Sequence, residues 1–125
     1  LSISNINEIS SRIITVPASE VEIIAISTAV SSGTFVEGNV RYIRITNLDD
    51  TNHVTLIFKD EDATEFAIKV DAGHSFIYPG DNSGGVVDTM HAGGSALTVS
   101  LNDLVNITAE ADTAACDLEL FIASV

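Results

Sequence analysis

The side chains of this chain that could do chemistry are three histidines, a tight group of acids and one cysteine. His53, His74 and His91 form no HxH or HxxxH pair, so a zinc site would need three separate segments to converge. Histidines at turn tips or half-buried on strands account for the same pattern. Asp60-Glu61-Asp62 with Glu65 offers hard oxygen ligands of the kind calcium takes, and Asp60, Asp62 and Glu65 are the candidate ligands. The spacing lacks the glycine of an EF-hand loop, and a hairpin turn explains the cluster equally well. Asp81-Asn82-Ser83-Gly84 is a similar case. Ser75 adjoins His74, but neighbours on a strand point to opposite faces, and no GxSxG elbow occurs. Neither a Walker loop nor GxGxxG is present. Asn106-Ile107-Thr108 matches a glycosylation sequon, a motif short enough to arise by chance. Cys116 has no partner for a disulfide within the chain and reads as a small buried thiol opening the last strand. The expectation is a protein that is not an enzyme and holds no cofactor.

Charge narrows the partners. Eighteen acids against five bases give a net charge of −13 in 125 residues. The bases are Arg12, Arg41, Arg44, Lys59 and Lys69, so nothing after residue 69 can neutralise phosphate. Nucleic acid is therefore not an expected partner, and an anionic membrane surface would repel the chain. Trp is absent, which weakens any reading based on stacking bases or sugars. No run is long and apolar enough to span a bilayer, which takes about 18 residues or more. The start shows no signal-peptide pattern and begins at Leu1, which leaves targeting unread.

The elements that would position these residues read as strands. Apolar and polar residues alternate through Val54–Phe58, Phe66–Val70, Val105–Ala109 and Leu118–Ile122, the period of a strand with one buried face. Ile43 and Ile45 continue the theme in Val40–Val70, whose Asp- and Asn-rich links predict an antiparallel three-stranded meander. Arg12–Val16 is extended and stopped by Pro17. The β-branched content of Val21–Thr28 favours a strand over a helix capped by Ser19 and Glu22. Asp71-Ala72-Gly73 is a turn into a strand at His74–Tyr78. Pro79–Ser95 reads as a long loop with five of the eight glycines, and Val86–Met90 as a short strand within it. Isoleucines at 3, 6 and 9 in residues 1–11 suggest a helical turn or an arm that lies along a partner. The expected fold is all-β: one antiparallel β-sandwich over residues 12–125, Ig-like or jelly-roll, with roughly eight to ten short strands after an arm of residues 1–11.

Three stretches carry a resemblance: VRYIRITNLDDTNHVTLIF, FAIKVDAGHSFIY and LNDLVNITAEADTAACDLELFIAS. They resemble small all-β virion proteins of tailed, particularly marine, bacteriophages, over roughly residues 40–125. The resemblance implies a structural role: a head decoration or cement protein, or a β-domain of a tail or fibre. It implies as partner the major capsid protein or another virion protein, with a homo-oligomer open, and a location on virions assembled in the host cytoplasm. The contact surface is then expected in the arm and the Pro79–Ser95 loop, at Ile3, Ile6, Ile9, Tyr78, Asp81, Asn82, Met90 and His91. The rival readings are an extracellular carbohydrate-binding or adhesin module, and a cupin-like enzyme with a metal inside a jelly roll.

Overall fold

A computed structural model describes residues 2–78, 85–87 and 101–125. Those residues form ten strands and a single 3-10 turn at Glu37–Asn39. The strands are β1 (Glu8–Val16), β2 (Val21–Ser27), β3 (Phe35–Val36), β4 (Val40–Asn47), β5 (Val54–Asp60), β6 (Glu65–Val70), β7 (Ser75–Tyr78), β8 (Gly85–Val87), β9 (Leu101–Ala111) and β10 (Cys116–Ser124). They build two sheets. One runs β1-β10-β4-β7; the other runs β3-β2-β9-β5-β6, with β8 also pairing β9. Every ladder is antiparallel except the two-residue contact of β2 with β3.

With the short β3 and β8 set aside, the strands follow the jelly-roll order. The first, last, third and sixth share one sheet, and the second, seventh, fourth and fifth share the other. This decides between the two expected sandwiches. The inward rows are the alternating residues of the sequence. Ile43, Ile45, Leu118, Leu120 and Ile122 on one sheet meet Val54, Leu56, Phe58, Ile107 and Ala109 on the other, all at most 1% exposed. Burying each large aliphatic or aromatic side chain contributes about 1.5–3 kcal/mol. Cys116 opens β10 and is buried, as its neighbours in the sequence suggest.

Two expectations are corrected. The three-stranded meander does not form: β5 pairs β6, but β4 lies between β10 and β7 in the opposite sheet. A short link joins hydrogen-bonded neighbours or crosses between packed sheets about 10 Å apart, and here it crosses. The arm is also shorter than residues 1–11. Glu8–Ser11 pair with Ser124–Phe121, so β1 begins at Glu8 rather than Arg12. The four-residue step from Ile9 to Ile13 suits a strand face as well as a helix, and pairing with β10 decides it. Pro79–Ser95 lies outside the described residues except for β8, where Gly85–Val87 pairs Asp103–Leu101. That strand begins just before the expected Val86.

Candidate functional site

The outer face of the β1-β10-β4-β7 sheet is where exposed apolar side chains gather. Residues directly opposite one another on neighbouring strands share a face, so the registers give rows across the sheet. The first row is Ile9, Ala123 and Tyr42. The second is Ser11, Phe121, Arg44 and Ile77; the third is Ile13, Glu119, Thr46 and Ser75. Ile9 and Ile13 are each 63% exposed, and Ile77 is 50% exposed. Polarity rises along the strands: Thr46 and Ser75 share a hydrogen bond at 2.8 Å, and the Thr15 hydroxyl donates to Asp117 at 2.7 Å.

The arm closes the apolar end. Asn7 N–H donates to the Ser124 carbonyl at 2.9 Å, anchoring the chain beside β10. Asn5 has φ of 60°, a left-handed conformation that asparagine tolerates better than most side chains, and it turns the arm back. Ile3 and Ile6 then join Ile9, Tyr42, Phe121 and Ala123 around an open groove of about 390 Å³. Tyr42 meets Phe121 edge-on, with centroids 6.1 Å apart and planes at 76°. Arg44 sits 5.1 Å from the centre of the Phe121 ring and pairs with Glu119 at 3.3 Å. Both arrangements are favourable for the ring quadrupole.

The outer face of the other sheet is built differently. Lys59 pairs with Glu20 at 2.7 Å and with Glu65 at 3.6 Å, and Thr108 donates to Glu20 at 2.7 Å. Hydrogen bonds from Lys59 first, then Thr108, hold the Glu20 carboxyl below its usual range. Asn106 donates to Glu22 at 3.0 Å, so the sequon asparagine lies mid-strand with its amide nitrogen engaged. That face is polar and ion-paired.

The expected contact residues separate accordingly. Ile3, Ile6 and Ile9 come together. Tyr78 does not join them, since it packs against the core from the inner side of β7. Asp81, Asn82, Met90 and His91 lie outside the described residues. Tyr42, Phe121, Ala123, Ile13 and Ile77 were not singled out from sequence. Their signal was present, because Phe121 and Ala123 occupy the row opposite the core-facing residues of β10, where solvent would favour polar groups.

The calcium candidates are engaged otherwise. Asp60 is buried, and its Oδ1 accepts the backbone N–H groups of Asp62 at 3.0 Å and Thr64 at 2.8 Å. Asn102 donates to Asp60 Oδ2 at 3.2 Å and to Asp62 at 3.0 Å, while Glu65 faces Lys59. These carboxylates close the β5–β6 hairpin. Among the described residues no three His, Cys, Asp or Glu side chains gather as metal ligands would. His53 faces Asp112 at 3.7 Å, and His74 bonds the Ala72 carbonyl at 2.9 Å, away from Ser75 on the outer face. Burial first, then the charges of Asp49, Asp112 and Asp117, push the Cys116 thiol up, which suppresses the reactive thiolate.

Comparison with protein-family models, curated proteins and solved structures gave no match.

Proposed function

We propose that this chain is a non-enzymatic virion structural protein: a capsid decoration or cement protein that binds and stabilises the head surface of a tailed bacteriophage. The observation that carries this reading is the contrast between the two outer faces. One is ion-paired and solvated; the other presents Ile9, Ile13, Tyr42, Phe121 and Ile77 with an isoleucine-bearing arm laid across it. A contiguous apolar patch on an otherwise acidic protein marks a surface that is covered in use.

The jelly roll alone does not choose, because viral capsid domains, lectins and cupins share it. The residues favour the virion. A cupin needs imidazoles inside the barrel, whereas among the described residues the packed core is aliphatic and aromatic, with His53 and His74 outside it. A sugar-binding platform presents ring faces side by side. Here Tyr42 meets Phe121 at 76°, and the Arg44 guanidinium lies over the Phe121 ring.

The partner is the outer surface of the major capsid protein shell, contacted by many copies at once, so that modest individual contacts add by avidity. At −13 each, neighbouring copies repel. At marine ionic strength the Debye length falls to roughly 4 Å, and that repulsion fades. Purified protein mixed with empty heads of the same phage is expected to co-sediment, with occupancy rising between about 0.05 M and about 0.5 M salt. Protein that stays in the supernatant at every salt concentration, or that binds glycans selectively, would refute the proposal.

A further inference from the structure

We propose that two copies of this chain join through their β1 edges, pairing antiparallel about a two-fold axis at Ser11 to make one continuous eight-stranded sheet. The inference stands apart from the virion reading, since it concerns the free protein.

An edge strand offers unpaired backbone groups, and folded proteins ordinarily guard such edges with charge, proline, bulges or brevity. Among the described residues, the other strand edges are guarded, β8 by its three residues. β3 has two residues and β7 has four, while β6 carries Glu65 and Lys69. β1 has nine residues, pairs with β10 without a register shift, and contains neither Pro nor Lys. Its one basic residue, Arg12, turns inward and donates to the Ile23 carbonyl at 2.7 Å, leaving the outward residues of β1 itself, Ile9, Ser11, Ile13 and Thr15, uncharged.

The phase of the edge follows from its neighbours. Leu48 N–H bonds the Asp117 carbonyl, and Asn47 N–H bonds the His74 carbonyl. Antiparallel ladders alternate, so Asp117, Glu119, Phe121 and Ala123 bond towards β4, and Leu118, Leu120 and Ile122 bond towards β1. On β1 the even-numbered residues are thereby satisfied. The N–H and C=O groups of Ile9, Ser11, Ile13 and Thr15 point away from the sheet.

The outer-face residues of this edge are symmetric about Ser11: Ile9, Ser11 and Ile13. Centring the pair on Ser11 sets Ser11 opposite Ser11 and Ile9 opposite Ile13 of the second copy, all on the outer face with their hydrogen-bonding groups in phase. Arg12 then stands opposite Ser10, with Glu8 and Arg12 of the second copy as its two diagonal neighbours. Glu8 makes no ion pair among the described residues of the single chain, and this register brings a basic residue within diagonal reach of it. The neighbouring register centred on Arg12 would oppose two arginines. Dimerisation also sets the two apolar outer faces side by side.

The test is sedimentation equilibrium at about 0.5 M salt, with protein up to about 1 mM. The wild-type mass is expected to rise from 13.2 kDa towards twice that value. Ser11→Pro removes an edge donor that the single chain does not use, and Ile13→Lys restores an edge charge. Each is expected to weaken the dimer at least ten-fold, with an unchanged melting temperature in dilute protein where the wild type is monomeric. Should Ser11→Pro fail to fold, Ile13→Lys and amide exchange decide: Ile9, Ser11, Ile13 and Thr15 should gain protection with concentration. A mass that stays monomeric, or a dimer indifferent to both substitutions, overturns the proposal. Because no shell is present, these outcomes leave the capsid reading to its own test.

Discussion

Asn47 ties its own turn, residues 47–52, to the distant stretch of residues 70–74. It is buried, its side-chain amide donates to the Asn52 carbonyl at 2.9 Å and the Val70 carbonyl at 3.1 Å, and its Oδ1 accepts Asp49 N–H at 3.0 Å. Its own backbone bonds His74 and Gly73. One side chain thus fixes the β4–β5 crossing against the end of β6. Asn47→Leu keeps the volume and leaves one buried and two half-buried backbone groups without their partner, so it should cost about 2–4 kcal/mol. Urea unfolding checks this: the midpoint should fall while the slope stays constant. The sequence shows Asn47 only as one of several turn-forming residues in 47–52, because its decisive acceptor on Val70 is distant along the chain. Cys116 was easier to read, since its apolar neighbours already imply burial. Phe121 fell between the two. Its row was visible from alternation, but that the row was apolar enough to matter emerged only when Tyr42 and Ile9 came beside it.

At the scale of elements, periodicity identified strands well and pairing poorly. A two-residue period states which side chains share a face and leaves open which strand lies alongside. β4 shows the difference: its Ile43 and Ile45 face inward as alternation requires, yet its neighbours are β10 and β7 rather than β5. β9 adds a phase shift. The ladder slips between Lys59 and Asp60, which leaves Leu104 buried and Val105 exposed, against the simple alternation of the sequence. The turn into β7 was legible because Gly73 has a chemical reason to be there. Its φ is +74°, whereas Gly38 has no such requirement, and an added Cβ meets nothing within 4 Å at either position. Gly73→Ala should therefore cost about 1–2 kcal/mol from backbone strain alone. Gly38→Ala should be neutral or stabilising by up to about 1 kcal/mol, through the unfolded chain. Melting both variants beside the wild type separates strain from packing; equal shifts would show that the turn tolerates a side chain.

Across the whole molecule, the described strands pack an apolar core between two outer faces of different character. The wet face carries Lys59 with Glu20 and Glu65, and the other carries the groove closed by Ile3 and Ile6. A net charge of −13 keeps such a protein dispersed, and the apolar face is the part of its surface suited to being covered. The fold class was legible from strand count and turn spacing. The apolar groove was not, because it is assembled from the arm, β10 and β4, which meet only in three dimensions. The most direct test replaces that face while sparing the β1 edge. Tyr42→Ser with Phe121→Ser, compared with Ala67→Lys on the opposite sheet, should be measured for binding to empty phage heads by co-sedimentation, with melting temperatures confirming folded protein. The account predicts at least a ten-fold loss of affinity for the first variant, about 1.4 kcal/mol or more, and no change for the second. Undiminished binding by the first, or a loss confined to the second, would contradict it.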